Sequence, residues 1–273
     1  MNGGLIGLDL FSGIGGITLA LQDWVHPCAY CEIEPFAQSL LLQKMASGEL
    51  PFAPIWDDVK TLDGRMLPKI EIIYGGFPCQ DISSAGLGAG LEGKRSGLFF
   101  EIIRLVKETK PVFVFLENVP AIRTRGLKEV IGSLTDLGYD CRWNCVSAAE
   151  LGAPHVRKRW FLLAYAAKCP NKQKIPQSNI GAPAGGDEKS FNQMAYANGE
   201  GLPNGRPTGL EKKFNKKVFA ESKRRCGARW AIEPNVGRMA YGIPFRVDRI
   251  RGLGNAVVPI QAKKAFEILM GLR

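Results

Sequence analysis

Along the first 166 residues, short apolar runs alternate with stretches of helical period. Residues 5–11 form an apolar run that fits a buried strand and ends in the turn Ser12-Gly13-Ile14-Gly15-Gly16. Residues 17–24 then read as a helix. A second run at 28–33 precedes Pro35 and the periodic stretch 36–45. Proline suits the first helical position, because the N–H it lacks would be unbonded there anyway. Residues 70–74 make a β-rich run closed by Gly75-Gly76, residues 98–107 a helix, and residues 112–116 a buried strand. Two further strands are expected at 141–146 and 160–165. Strands alternating with helices predict an α/β fold, a mainly parallel sheet covered on both faces. The pattern breaks near Ala167, and residues 168–229 are rich in Gly, Pro, Asn and Lys. Residues 171–190 lack the apolar content for a core and are expected to be loop. Regular patterning resumes at Trp230. Residues 259–272 read as an amphipathic helix with Ile260, Ala265, Ile268 and Leu269 on its apolar side. Three parts follow: 1–166, 167–230, and 231–273, the last returning to the first.

Composition narrows the class. The chain has 273 residues, 45% hydrophobic and 23% charged, which suits a globular protein with a sizeable core. No apolar run reaches the roughly 18 residues of a membrane span, so no membrane partner is expected. The start, MNGGLIGLDLF, lacks a basic region followed by a long apolar stretch, so a cytoplasmic protein is expected. Seven cysteines at irregular spacings suggest reduced thiols. Cys28 and Cys31 form a CxxC and Cys141 and Cys145 a CxxxC, yet the chain has only two histidines. A structural zinc ion needs four ligands, so no metal is expected.

Charge changes the picture more. The net charge is +10, but residues 1–166 hold 16 Lys and Arg against 18 Asp and Glu, a net of −2. Residues 167–230 hold 13 against 5, a net of +8, and residues 231–273 hold 7 against 3, a net of +4. A segment so basic attracts polyanions, nucleic acid foremost, although a solvated loop that keeps the protein soluble accounts for it equally well.

Four places carry candidate chemistry. Asp9-Leu10-Phe11-Ser12-Gly13-Ile14-Gly15-Gly16 lies between a strand and a helix, where glycines let the backbone turn tightly against a ligand. Glu32, with Glu34 beside it, closes the next strand, a usual place for a carboxylate that accepts ribose hydroxyls. An adenosine-containing cofactor fits, though many α/β folds use such a turn without a ligand, and the spacing is not the GxGxxG of dinucleotide binders. Gly75-Gly76-Phe77-Pro78-Cys79-Gln80 puts a thiol where parallel sheets place their active sites. Taken alone, Cys79 reads as a small buried residue at a strand end. Glu117-Asn118-Val119 closes the strand at 112–116; partly desolvated, such a carboxyl has a raised pKa and shares a proton with a substrate nitrogen. A helix cap or surface carboxylate is the plainer reading. His155-Val156-Arg157-Lys158-Arg159 precedes the last strand, and alternation sends Arg157 and Arg159 to one face. Two guanidiniums there grip a phosphate or carbonyl, or form a plain charged strand edge.

In this order, the four resemble the DNA cytosine-5 methyltransferases through nearly the whole chain. DLFSGIGG is similar to the family's cofactor loop, GGFPCQDIS to its catalytic loop, ENV to its third signature and RKRWFLL to its arginine motif. Arg251-Gly252-Leu253-Gly254-Asn255-Ala256-Val257-Val258-Pro259 is similar to its closing motif. The resemblance implies a Rossmann-like S-adenosylmethionine-dependent methyltransferase fold with a small basic target recognition domain. The catalytic and cofactor-binding domain would be 1–166, and the recognition region 167–230. It implies that Cys79 attacks carbon 6 of a flipped-out cytosine, Glu117 holds N3 and the exocyclic amine, and Arg159 contacts the base carbonyl with Arg157 in support. S-Adenosylmethionine would lie against Phe11, Gly13, Ile14, Gly16, Glu32, Ile33, Asp58, Val59, Pro78, Leu98, Asn255 and Val257, with Asp57 a neighbour of Asp58. Residues 79–97 would close over DNA, with Gln80, Ser83, Lys94 and Arg95 as contacts. In the recognition region the candidates are Arg206, Lys212, Lys213, Lys216, Lys217, Lys223, Arg224, Arg225 and Arg229, most of them for phosphate. Double-stranded DNA is the expected partner of a monomer, and an accompanying restriction endonuclease is not readable.

His155 stands where the family usually has glutamine, the recognition region is short, and no side chain is an obvious base for the carbon-5 proton, which leaves water. One rival is the branch of the family that acts on transfer RNA, because a basic segment does not separate DNA from RNA. A non-catalytic DNA-binding relative is a second, opposed by the intact Cys79, Glu117 and Arg159. A nucleotide-linked oxidoreductase fits the fold but explains neither FPCQ nor ENV.

Overall fold

The computed structural model describes residues 4–78, 97–167 and 256–272, and the backbone of 193–195. The nucleophile candidate Cys79, the contacts Gln80, Ser83, Lys94 and Arg95, the cofactor residue Asn255, the loop at 171–190 and every recognition-region cation lie outside the described residues.

Eight strands form one sheet: β1 (Leu5–Leu10), β2 (Val25–Cys31), β3 (Ile55–Trp56), β4 (Ile72–Gly76), β5 (Phe113–Asn118), β6 (Tyr139–Ser147), β7 (Lys158–Ala166) and β8 (Gln193–Ala195). Their order is β3-β2-β1-β4-β5-β7-β6-β8. The half from β3 to β5 is parallel, as its apolar runs predict. β7 and β6 form an antiparallel wing beyond β5. The connection at 148–157 holds only a 3-10 turn (Ala149–Leu151), and a connection that short cannot make a parallel crossover. β8 pairs antiparallel with β6, so part of the stretch 167–230 joins this sheet as its edge.

Both faces are covered. Alternation along β5 sends Val114 and Leu116 to one core and Phe113 and Phe115 to the other. The first core is closed by α3 (Gly97–Thr109) and α5 (Leu127–Asp136), through residues such as Phe99, Ile102, Val130 and Leu134. The second is closed by α1 (Gly16–Leu21) and the C-terminal α6 (Pro259–Met270). α2 (Pro35–Ala46) covers the β2 edge with Leu41 and Met45 against Tyr30. α4 (Ile122–Arg125) is a single turn after β5.

The buried stripe of α6 differs from the expected one. Ala265 and Leu269 are buried, but Ile260 is 56% exposed and Ile268 half-buried, whereas Ala262, Phe266 and Gln261 are fully buried. Phe266 sets the rotation: its ring meets Phe115 edge-on at 5.2 Å and lies 5.4 Å from Trp24. This docking packs the C-terminal helix against the sheet.

Because β1, β2, β4 and β5 run parallel and β7 runs against them, their carboxyl ends and the start of β7 meet at one sheet edge. That edge is where open α/β sheets bind ligands.

Candidate active site

The glycine turn is built around Glu32. Phe11, Gly13 and Gly15 have φ of 54°, 55° and 79°, which glycine adopts freely and phenylalanine rarely. Strain at Phe11 is retained where the turn must lie against something. The Gly13 N–H donates to Glu32 Oε2 at 2.7 Å and the Glu34 N–H to Oε1 at 2.8 Å. Each oxygen keeps a lone pair for a ligand hydroxyl. Ser12 ties the turn to β2: its N–H donates to the Cys31 carbonyl, and its hydroxyl to the Asp9 carbonyl. A Cβ at Gly16 would lie 3.0 Å from the Val257 carbonyl oxygen, so the turn and the C-terminal segment approach as closely as glycine allows.

A cavity of about 560 Å³ opens beside this turn. Eleven of the twelve expected cofactor residues line it: Phe11, Gly13, Ile14 and Gly16 of the turn, Glu32, Ile33, Asp58 and Val59 after β2 and β3, Pro78, Leu98, and Val257. Asn255 is the twelfth. Asp57 lines it with Asp58 and Glu34 with Glu32, and Ser12, Ile17, Cys31, Phe36, Ala37, Phe77 and Ala256 add further wall. Burial and nearby carboxylates push the Cys31 thiol up to about 12, so it stays protonated and inert. Cys28, Cys31, Cys141 and Cys145 are free thiols, and among the described residues no cluster of His, Cys, Asp and Glu could hold a metal ion.

The far end of the same cavity is formed by Gly76, Glu117, Asn118, Val119 and Arg159. Glu117 pairs across from Phe161, so Arg159, two residues before Phe161 on β7, falls on the same face. Arg159 Nε donates to Glu117 Oε1 at 2.8 Å. Burial pushes the Glu117 carboxyl above the usual carboxylate range, while Arg159, then Arg157, oppose it. The buried cavity thus holds a carboxyl that keeps its proton more readily than a surface one. Gly76 is opposite Glu117, and a Cβ there would lie 2.7 Å from Oε2, so the glycine makes room for the carboxyl. Asn118 Nδ2 donates to the Phe77 carbonyl at 3.0 Å, fastening the chain two residues before Cys79.

Arg157 is placed differently from Arg159. β7 starts at Lys158, and Arg157, which does not line the cavity itself, donates from Nη2 to the carbonyl of the wall residue Ala256 at 2.6 Å. Gln261 of α6 reinforces this tie: its Nε2 lies 2.6 Å from both the Val146 and Arg157 carbonyls. Arg157 and Gln261 therefore lock the segment that carries Val257 to the strand that carries Arg159. His155 is exposed. Asp9, beneath the turn, was read only as the start of a motif; it is buried, accepts from the Thr18 hydroxyl at 2.6 Å, and burial pushes its carboxyl up to about 8. Thr18 in turn shares a hydrogen bond with Tyr74.

Comparison with known proteins gives the family and the fold. The chain is 39% identical over 159 residues to the Type II methyltransferase M.CviJI of Paramecium bursaria Chlorella virus IL3A, covering 58% of this chain and 42% of that protein. It is 36% identical over 166 residues to the Type II methyltransferase M2.BsuMI of Bacillus subtilis (strain 168), covering 58% and 41%. The chain thus spans about two fifths of the length of these curated relatives. The solved structure of a Spodoptera frugiperda DNMT2 mutant superimposes with a TM-score of 0.51 at 18% identity, covering 61% of this chain and 51% of that one, a likeness of fold. The profile of the C-5 cytosine-specific DNA methylases matches residues 6–236, and the chain belongs to that family.

Proposed function

We propose that this chain methylates carbon 5 of cytosine in double-stranded DNA, with Cys79 as nucleophile and S-adenosylmethionine as methyl donor. The observation that carries the reading is the single cavity: the glycine turn and Glu32 line one end, and the Glu117–Arg159 pair the other. A donor and an extruded base can meet there. Its wall fits the donor, since Glu32 suits ribose hydroxyls and Phe11, Ile33 and Val59 offer apolar surface to a purine. When bound, S-adenosylmethionine supplies an electrophilic methyl group.

The chain's own groups supply the rest. The Cys79 thiolate forms a bond to carbon 6, and the electron pair of the 5,6 double bond moves to carbon 5. Glu117 stabilises that adduct by giving its proton to N3, a task its raised pKa suits. Arg159 orients Glu117 and contacts the base carbonyl. After methylation, water removes the carbon-5 proton, the sulfur–carbon bond breaks to restore the thiolate, and N3 returns its proton to Glu117. The basic stretch 167–230 serves as the target recognition region, where Lys212, Lys213, Lys216, Lys217, Arg224, Arg225 and Arg229 face DNA.

Bisulfite sequencing of duplex DNA incubated with the purified enzyme and donor tests this. Methylated cytosines in a fixed sequence context are expected. Methyl transfer confined to transfer RNA would replace the DNA reading with that of the RNA-modifying branch.

A further inference from the structure

We propose that Arg123, Arg125 and Lys128 form a phosphate-binding rim that grips the DNA backbone beside the extruded base, apart from the basic stretch at 167–230. The inference rests on the DNA reading above. Chain connectivity keeps these cations close to the cavity wall, just beyond Val119. Val119 lines the cavity, and the Ile122 N–H donates to the Val119 carbonyl, so the chain folds at once into α4. Arg123 stands four residues beyond Val119, within about 14 Å by chain reach alone. Ile122 is buried in the core beneath, which pins this turn to the end of β5.

All three side chains belong to exposed residues, and among the described residues none has an ion-pair partner. Arg65, Arg104, Lys44, Lys263 and Lys264 each face a carboxylate. The local charge also departs from its surroundings. Residues 1–166 carry a net charge of −2, yet residues 118–128 hold three cations and no acid. Unpaired arginines beside a catalytic mouth have a chemical reason in a base-flipping enzyme. The base enters the cavity while its flanking phosphates stay at the rim, still needing counter-charge. A guanidinium offers two parallel N–H donors to a phosphate. Such contacts position the duplex and read no sequence.

The test compares the salt dependence of duplex binding for the wild type, Arg123→Gln/Arg125→Gln, Arg123→Lys/Arg125→Lys, and Lys107→Gln/Lys110→Gln. The last pair is exposed too, but sits at the opposite sheet edge, before β5. Two duplexes serve as probes, one with the methylated site and one without. The glutamine pair at 123 and 125 is expected to weaken both duplexes about equally, and to reduce the slope of log affinity against log salt by about two, near 0.9 per phosphate contact. The lysine pair is expected to keep the slope, and the pair at 107 and 110 to bind like wild type. An unchanged slope in the Arg123→Gln/Arg125→Gln protein, or a loss confined to the methylated site, overturns the rim. Wild-type enzyme that binds transfer RNA and not duplex DNA overturns the DNA reading itself, an outcome visible before any variant is measured.

Discussion

Burial raises two carboxyls at the site edge, against different opposition. Glu117 is pushed up by burial and held back by Arg159. Removing that guanidinium without adding charge, as in Arg159→Met, is expected to raise the Glu117 midpoint further, followed by NMR of labelled glutamate; a lower midpoint would deny the pairing its role. Among the described residues no cation contributes to the shift of Asp9, and burial lifts it from 3.8 to about 8. A folded-state pKa above the unfolded value means that the folded protein binds the extra proton. This contribution is whole below the unfolded pKa of 3.8 and is lost as pH rises to about 8. Asp9→Asn, which mimics the protonated form, is expected to flatten the fall in urea midpoint between about pH 5 and about pH 8. A slope equal to the wild type's would show that Asp9 is ionised in the fold. Glu117 was readable in the sequence because a carboxylate that closes an apolar strand has one natural exposure. Asp9, Gln261 and Arg157 were not, because their roles depend on partners 9 to 115 residues away.

At the level of elements, the strands meet so closely that their glycines are steric requirements. A Cβ on Gly75 would overlap the Leu10 carbonyl oxygen of the neighbouring β1. Gly75→Ala is therefore expected to force β1 and β4 apart at a cost of about 3 kcal/mol or more, read as a lower melting temperature; an unchanged melt would refute the contact. α6 is held by Phe266 on the Phe115 ring and by Gln261 on two carbonyls. Phe266→Ala is expected to cost about 3–5 kcal/mol. The milder Gln261→Leu is expected to raise the KM for the donor by loosening Val257, while Gln261→Glu, able to keep a polar contact in its protonated form, should lose less. Equal donor KM in the wild type and both variants would make the tie incidental to donor binding. The parallel half of the sheet was plain in the sequence because each strand is an apolar run closed by a turn. β3 escaped notice, since two residues show no period. The helical stripe of α5 was also missed, and with α6 the pattern alone chose Ile260 over Phe266, because two rotations of one helix bury nearly the same number of apolar residues.

On the scale of the whole molecule, charge and candidate chemistry are separated along the chain. Residues 1–166 are near neutral and build the cavity, while residues 167–230 carry a net charge of +8. The cavity's two ends come from turns scattered between residues 11 and 257, gathered by one sheet edge. Pro78, which lines the cavity, immediately precedes the proposed nucleophile Cys79 in the sequence. The most direct measurement incubates the enzyme and methyl donor with a duplex carrying 5-fluorocytosine at the methylated site. Fluorine cannot leave as the proton does, so a covalent protein–DNA adduct that survives denaturation should accumulate, map by mass spectrometry to Cys79, and be missing from Cys79→Ser. A wild-type enzyme that methylates unmodified duplex yet forms no such adduct, or forms it through another residue, would contradict the account.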